Sequence, residues 1–514
     1  MKKSTLLFSL FIALNTYGAT RYVTPSGSGL LDGTSWANAY SGTSLQIAIN
    51  ASGINDEVWV ATGTYLTTTT MDRTISFSMK TGVAIYGSFI GTETMLSQRD
   101  LSGGIMSILS GEIGAAGIVD NSYKVIYNQL VDSTAIIDGF EITGGNDNRP
   151  PSSSGNGLGG GIYNHGYELG GYCHPIVRNC VFTQNTASWG AGAFNNGYNG
   201  GTTEPTYLSC VFSQNHALIE AGGMDSYGVG GNASPTLINS IFYDNTSATN
   251  AGAMYAWGGN AGGNCNPILI NCVFANNHAQ NGYGGAFVSS NLDENGVTSS
   301  GSCTVTLQNC IVWNNTATAG MGTQFFIRGV GSQAIATYSD IDLIEQTPPH
   351  TISGAGTGNL NVDPLFTNIN MGAGIDGTWM TNDDGMQLQS LSTCIDVGDN
   401  TGIALTDILS NNRIFNAIVD FGAYETITTI GISENDTFRG VTVYPNPSEN
   451  IVNIDLASLK NVSINVTNLN GQVIFERKNI NTKVYQFELD NSTGLYLIEI
   501  ISNGKSQKSK LFLN

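Results

Sequence analysis

The chain has 514 residues, more than one hydrophobic core ordinarily organises, so at least two folded units are expected. Charged residues are 11% of the total, and 39 acidic against 19 basic side chains leave a net charge of −20, which excludes a nucleic-acid or anionic-membrane partner. The 65 glycines suit turn-rich β structure better than helices.

Residues 1–19 have the layout of a secretory signal peptide: Lys2 and Lys3, an apolar run from Leu6 to Leu14, and the small-residue exit Thr16-Tyr17-Gly18-Ala19. That run is too short to span a bilayer, and no stretch of about 20 apolar residues follows, so no transmembrane span is expected. Residues 20–145 read as the entry to a solenoid. Leu45-Gln46-Ile47-Ala48-Ile49-Asn50, apolar at 45, 48 and 49, is a short helix that caps its open end, because an uncovered terminal coil exposes strand edges. Segments 57–61 and 83–87 read as first strands, and 136–145 begins the regular part.

From 159 to about 315 one unit is written five times. Its cores are Asn179-Cys180-Val181-Phe182-Thr183-Gln184-Asn185, Ser209-Cys210-Val211-Phe212-Ser213-Gln214-Asn215, Asn239-Ser240-Ile241-Phe242-Tyr243-Asp244-Asn245, Asn271-Cys272-Val273-Phe274-Ala275-Asn276-Asn277 and Asn309-Cys310-Ile311-Val312-Trp313-Asn314-Asn315. Small-residue turns such as Gly160-Gly161, Gly192-Ala193 and Gly222-Gly223 lie between them, and from Cys180 to Cys310 the steps are 30, 30, 32 and 38 residues. A period of this size means a solenoid. Short runs of Val, Ile and Phe punctuated by Gly, Asn and Pro are strand-and-turn chemistry, so the fold class is all-β: a right-handed parallel β-helix, a pectin-lyase-like solenoid, with repeats and closing coils over 146–425. Asn at both ends of each core tolerates left-handed backbone and bonds its own turn. Phe182, Phe212, Phe242 and Phe274 are expected to stack inside the coil at about 4.8 Å.

Beyond Asn315 the period loosens. Segments 338–342 and 361–366 read as late coils, 420–425 closes the solenoid, and 426–439 is a polar linker. Residues 440–514 differ in style, with alternating strands and returning lysines, and read as a small C-terminal β-sandwich.

Two resemblances follow from these motifs. The Gly-Gly-Ala-like turns with Phe-x-x-Asn cores (Phe182 to Asn185 and its four-fold recurrence to Asn277) resemble the repeats of chlamydial polymorphic outer-membrane proteins, which implies a surface adhesin. The opening, with Gly91-Thr92-Glu93-Thr94 and Gln98-Arg99-Asp100, is similar to β-helix proteins secreted by Bacteroidetes. At the C-terminus, Val443-Tyr444-Pro445-Asn446-Pro447, Asn468-Leu469-Asn470-Gly471-Gln472-Val473, Gly494-Leu495-Tyr496 and Lys508-Ser509-Lys510-Leu511-Phe512 resemble the type A sorting domain of the type IX secretion system. The resemblance implies recognition by that machinery at the outer membrane, with Tyr444, Pro445, Asn446, Pro447, Gly471, Gly494, Tyr496, Lys508 and Lys510 carrying the signal. The cargo is then released or attached at the cell surface.

Eight cysteines in an exported chain invite disulfides. The columns Cys180, Cys210, Ser240, Cys272, Cys310 and Cys173, Thr203, Ala233, Cys265, Cys303 suggest Cys180–Cys210, Cys272–Cys310 and Cys265–Cys303, leaving Cys173 and Cys394 unpaired. The alternative is a ladder of buried thiols acting as small hydrophobes.

A lyase acting on uronic acids needs a cation and a tuned base, and a hydrolase needs two carboxylates at a set separation. The candidates are Arg178, which replaces Leu208, Ile238, Ile270 and Gln308 in its column, Arg149, and Asp225 near Glu220 and Asp244. No cluster combines them at neighbouring coils. Asp383-Asp384 either binds Ca²⁺, the one cofactor left open, or caps a turn. A more regular feature is the aromatic residue that follows each small-residue turn. Tyr167, Tyr198, Tyr227 and Trp257, stacked through the coils, form a strip whose faces suit sugar rings, unless they serve as ordinary packing. The chain thus reads as a surface-delivered, adhesin-like β-helix whose lateral face binds a polysaccharide, a cell-surface glycan or another cell-surface ligand. The enzyme alternative is a polysaccharide lyase or glycoside hydrolase on the same scaffold.

Overall fold

The structure, a computed structural model, describes residues 18–514 apart from 106, 153–154, 294, 319–321, 343–356, 428–437, 439–440, 458, 469–470, 490–492, 503–504 and 514. The signal peptide and most of the linker read from the sequence lie outside the described residues. The chain divides into two compact units, 1–426 and 427–514.

The first unit is a parallel β-helix. Each regular coil contributes to four parallel sheets, as in Tyr172–Cys173 with Ile176–Arg178, then Val181–Thr183, Thr186–Trp189 and Ala193–Asn196. These become the first, second, third and fourth faces of the solenoid, with 15, 9, 6 and 7 strands respectively. The register between coils is residue-for-residue: Phe182 sits opposite Phe212, Phe212 opposite Phe242, and Phe242 opposite Phe274. Their rings stack at 4.7, 4.6 and 4.6 Å with interplanar angles of 5°, 11° and 9°. That is the strand spacing, as the repeat requires.

The corners are set by left-handed backbone. Between first and second faces it falls on Asn179, Ser209, Asn239, Asn271 and Asn309, with φ from 49° to 55°. At the next corner the left-handed residue is Gln184, Gln214, Asp244, Asn276 or Asn314, one position before the terminal asparagine of each core. Those terminal asparagines point inward instead. The Asn185 Nδ2 donates to Asn215 Oδ1 at 3.1 Å, Asn215 to Asn245 and Asn245 to Asn277 at 2.9 Å, and Asn277 to Asn315 at 2.8 Å. Each amide also donates to the main chain of the preceding coil, as Asn215 does to Phe182 O at 2.9 Å. A buried amide ladder is tolerated because it is satisfied throughout.

The helix expected near the entry is Leu45–Ala51, with Leu45, Ala48 and Ile49 buried against the first coils. After Ile341 the chain departs from the reading as further coils. Residues 360–425 form turns and isolated bridges rather than coil strands, and return along the outside of the second face. Phe366, Trp379, Met386, Phe421 and Tyr424 pack on the outward column Val181, Val211, Ile241, Val273 and Ile311. The left-handed corner residues anchor the covering segment: Asn239 Nδ2 donates to Thr406 O (2.7 Å), Asn271 to Asp420 O (3.0 Å) and Asn276 to Ile369 O (2.7 Å). Segment 420–425 therefore covers a face and does not close the end. The sequence pattern hid this because outward Val and Ile on a strand read the same whether a sheet is covered by another coil or by a returning loop.

The expected disulfides are absent from the structure: Cys180, Cys210, Cys265, Cys272, Cys303 and Cys310, with Cys173 and Cys394, are buried free thiols. Cys265 and Cys303 are direct register partners, and Cys272 N donates to Cys310 Sγ at 3.4 Å. In-register stacking carries both Cβ atoms into the coil interior in parallel at the strand spacing, wider than the roughly 3.8 Å a disulfide takes. The thiols donate weakly to carbonyls instead, as Cys310 Sγ does to Leu269 O at 3.4 Å.

The second unit has two antiparallel sheets: Thr442–Tyr444, Ile451–Asp455 and Val484–Glu488 in one, and Val473–Ile480, Val462–Asn468, Gly494–Ser502 and Lys505–Leu513 in the other. Period-two alternation builds it. Val462, Ile464 and Val466 are buried between half-exposed neighbours, and with Ile498, Ile500 and Leu511 they fill one core.

Candidate functional site

The fourth face carries the aromatic strip. Its strands pair in register, giving one outward column Tyr127, Tyr163, Phe194, Asp225, Tyr255, Val288 and another Gln129, His165, Asn196, Tyr227, Trp257, Ser290. Tyr167 and Tyr198, just beyond the strand ends, stack at 5.6 Å with an interplanar angle of 11°. Tyr198 meets Tyr227 at 5.4 Å, and Tyr227 meets Trp257 edge-on at 5.1 Å and 88°. The four predicted residues therefore form one continuous strip. Tyr167, Tyr198 and Trp257 are half-buried and reach solvent, whereas Tyr227 is buried.

The strip borders a cavity of about 210 Å³ lined by Leu158, Trp189, Phe194, Asn196, Tyr198 and Tyr227 among others. Trp189 enters from the third face, lying 6.0 Å from Tyr227 and 6.4 Å from Trp257. Its Nε1 is buried and has no hydrogen-bond partner among the described residues. Sequence reasoning missed Trp189 because it precedes the small-residue turn Gly190-Ala191-Gly192, whereas the strip follows each turn. The available signal was a tryptophan in a column where the next coil has Glu220. Hydrogen bonds fix the surrounding polar groups: Asn196 Nδ2 donates to Tyr163 OH at 2.8 Å, and the same hydroxyl lies 2.8 Å from His165 Nδ1. Burial lowers the His165 pKa, favouring the neutral ring.

Asp225 interrupts the aromatic column. It is 1% exposed, and its Oδ1 is buried without a partner. Burial, and then the neighbouring Glu220 carboxylate, push its pKa well above the usual carboxylate range, and burial raises Glu220 too. Asn250 Nδ2 donates to Glu220 at 2.7 Å. The Trp189-Gly190 turn of the preceding coil covers Asp225: a Cβ at Gly190 would stand 3.0 Å from that of Asp225.

The other catalytic candidates do not converge on it. Arg178 lies on the first face, where it and Arg99 share Asp138: Arg178 Nε donates to one carboxylate oxygen, and Arg99 Nη2 to the other at 2.7 Å. Arg149 lies beside the head of the strip and chelates Asp147 through Nε and Nη2 at 2.7 and 2.8 Å. Glu141 and Asp244 both line a second-face cavity of about 460 Å³. They are three coils apart along the axis, about 14 Å, beyond the roughly 6.5–9.5 Å of an inverting pair.

In the acidic turn read as a Ca²⁺ candidate, each carboxylate takes hydrogen bonds from the chain, while Asp384 Oδ1 is buried without a partner among the described residues. Asp383 Oδ2 accepts from Ile375 N at 2.7 Å, and Asp384 Oδ2 accepts from Met380 N at 2.9 Å and Tyr424 OH at 2.6 Å. Asp396, Asp420 and Glu425 bring carboxylate oxygens within 4.8 Å of one another. Backbone N–H groups fill this cluster as well: Asp420 accepts from Asp396 N and Thr426 N, and Glu425 from Phe415 N and Asp420 N. The fully buried Arg413 supplies a counter-charge beside it.

In the second unit the residues of the sorting motif meet at one edge. Asn446 Nδ2 donates to Lys510 O at 2.8 Å and Phe512 N donates to Asn446 Oδ1 at 2.9 Å, so the Tyr444-Pro445-Asn446-Pro447 stretch clasps the last strand. Tyr444, Pro445 and Pro447 flank that clasp, Tyr444 and Pro445 being exposed. Gly471, at φ 78°, bonds Asn468 O in the hairpin turn, and Gly494 opens the strand that buries Tyr496. Lys508 pairs with Glu499 at 3.8 Å, and Lys510 is half-buried beside it on the last strand.

Residues 442–514 match the family described as the secretion system C-terminal sorting domain. No curated protein matches the chain. Among solved structures, a match is found to PorZ, described as an essential bacterial surface component of the type-IX secretion system of Porphyromonas gingivalis, at 18% identity and a TM-score of 0.14. It covers 16% of this chain and 13% of PorZ, too little to carry an argument. Among the described residues no helix is long and apolar enough to cross a membrane. The C-terminal match supports the chain as a substrate of the type IX secretion system, exported to the cell surface or the medium.

Proposed function

We propose that the exported solenoid is an adhesin-like module that binds a polysaccharide or cell-surface glycan along its fourth face. One observation carries this reading: Tyr167, Tyr198, Tyr227 and Trp257 form an unbroken strip, three of whose members reach solvent, beside a cavity walled by Trp189. Aromatic faces pack against the apolar C–H faces of sugar rings, and the neighbouring Asn196 supplies amide hydrogen bonding to their edges. The sorting tail supplies the route, delivering the module outside the cell. The signal peptide at 1–19 and passage through the periplasm belong to the same proposal.

The test is a glycan array probed with the mature chain, every hit being checked for cleavage by mass. Tyr198→Ala and Trp257→Ala are expected to weaken a retained ligand tenfold or more, the loss typical of a central aromatic contact, with an unchanged melting curve. Undiminished binding by both variants overturns the strip. A shortened product converts the reading to a glycoside hydrolase and directs attention to Glu220 and Asp225. An unsaturated one indicates a lyase.

A further inference from the structure

A second cavity, about 370 Å³, opens at the head of the strip, where Tyr127 and Tyr163 line it together with Tyr123, Lys124 and Arg149. Its electrostatics run against those of the chain. The solenoid is poor in cations within a protein of net charge −20, yet Lys124 and Arg149 here share a single carboxylate, Asp147, and Arg73 lies on the same Tyr123 ring as Arg149. Lys124 is buried, and Asp147, Gly155 O and Leu158 O take its three N–H donors, so it acts as a fixed positive charge beneath the cavity rather than as a contact. Arg149 engages Asp147 through Nε and Nη2, which leaves the Nη1 edge of its fork without a carboxylate partner among the described residues. Arg73 donates to the carbonyls of Asn121 and Asn146 at 2.6 and 2.8 Å and has no carboxylate partner among the described residues. Both guanidinium groups lie against the Tyr123 ring, Arg73 at 4.3 Å and Arg149 at 3.6 Å from its centroid.

We infer that this cavity is an anion subsite that seats the carboxylate or sulfate of an acidic sugar, so that the strip takes an acidic polysaccharide. Lys124 and Arg149 against the one carboxylate of Asp147 leave an excess of positive charge that an incoming anion balances, and an arginine edge presents paired N–H donors to such a group. The aromatic ring holds the guanidinium planes in place without neutralising them. Ring contacts lead from the cavity to the strip: Tyr127 lies 5.7 Å from His165, and His165 lies 5.8 Å from Tyr167. Gly155 and Asn156 line the first, while Ser152 and Leu158 of the same loop line the 210 Å³ cavity under the strip. A chain of sugars lying on the tyrosines therefore places its end residue at the cations.

This inference rests on the glycan-binding reading, and the test separates the two. Titration calorimetry of the mature full-length protein would use a galacturonate hexamer, the same hexamer with its carboxyl groups reduced, and a κ-carrageenan hexasaccharide, which carries sulfate and no carboxylate. Tenfold or greater preference for the carboxylated over the reduced hexamer is expected, falling as NaCl is raised from 50 to 500 mM, with Arg149→Gln and Arg73→Gln each removing most of it. An unchanged melting curve for both variants would exclude loss through misfolding. Comparison with the sulfated probe tells carboxylate from sulfate recognition. Equal affinity for the charged and reduced hexamers overturns the anion subsite and leaves the strip standing. Absence of binding to all three overturns both.

Discussion

The second and fourth faces are built from the same repeats, and both turn apolar columns outward, yet the molecule treats them differently. On the second face Val181, Val211, Ile241, Val273 and Ile311 are sealed under residues 360–425, which bring Trp379, Met386, Phe421 and Tyr424 down onto them. On the fourth face the column is aromatic, and Tyr167, Tyr198 and Trp257 reach solvent. Aliphatic outward residues give the chain something to bury against itself. Rings with polar edges, interleaved with Asn196 and His165, suit a surface that stays wet and meets a partner. The difference separates a face that serves stability from one available for recognition.

The sharpest way to break that contrast is to open the covered face. Trp379 is buried, meets Tyr243 at 5.4 Å and donates Nε1 to Ser213 Oγ at 3.2 Å. Trp379→Ala is expected to destabilise the solenoid by about 3–5 kcal/mol, seen in the urea midpoint, while leaving fourth-face binding intact. A change of under about 1 kcal/mol would mean that the cover is dispensable.

Next in size is the interior both faces share. Asn245→Ala removes the acceptor for Asn215 Nδ2 and the donor to Asn277 Oδ1 within a buried ladder. A cost of about 2–3 kcal/mol is expected in the same measurement, since the neighbouring amides lose partners that water does not replace.

These two residues also show what was legible in the sequence. The period, the Phe stack and the strip could be read because stacking turns a repeat in one dimension into columns in three, and Phe182 to Phe274 recur at nearly constant intervals. The entry helix could be read from three apolar positions. The cover could not, because 360–425 has no period and its partners lie far away in the chain, Trp379 and Ser213 being 166 residues apart. The inward turn of Asn245 was hidden for a subtler reason. An asparagine at a coil corner is equally suited to left-handed backbone, yet that conformation falls on Asp244 at φ 54°. For the site, the strip was visible and Trp189 was not. The gathering of Arg73, Lys124 and Arg149 came from separate coils with no shared spacing.

A smaller effect distinguishes the covered face by pH. Burial raises the folded pKa of Asp384 to about 7, with that of Glu425 raised to about 7 and that of Asp340 to about 6, all on or under the covering segment. An unfolded carboxylate titrates near 4. Because the folded values lie above the unfolded ones, the stabilising contribution is fully present below about pH 4 and is lost as pH rises through 6 to 7. The denaturation midpoint is therefore expected to fall between pH 5 and pH 8, and Asp384→Asn to flatten part of that slope. A midpoint that rises over this range would contradict the buried, protonated state of these acids. The fourth-face binding surface should lack this dependence where a neutral glycan is the probe, since Tyr198 and Trp257 carry no charge across that range.

The smallest expected effect concerns what holds the corner between the first and second faces. Cys180, Cys210, Cys272 and Cys310 line that corner as thiols, with Ser240 in the same column. If the coils are held by packing, reductant will shift the denaturation midpoint by no more than about 0.5 kcal/mol, and alkylation in denaturant will add the same mass with or without prior reduction. Ser240→Cys should then be nearly neutral, since a buried thiol fills the place of a hydroxyl that donates to Ile238 O at 3.1 Å. A disulfide between neighbouring coils would instead contribute about 2–5 kcal/mol and disappear with reductant. That outcome would make the covering segment an addition to an already cross-linked corner, and the contrast between the two faces would then lie in covalent bonding rather than in which residues turn outward.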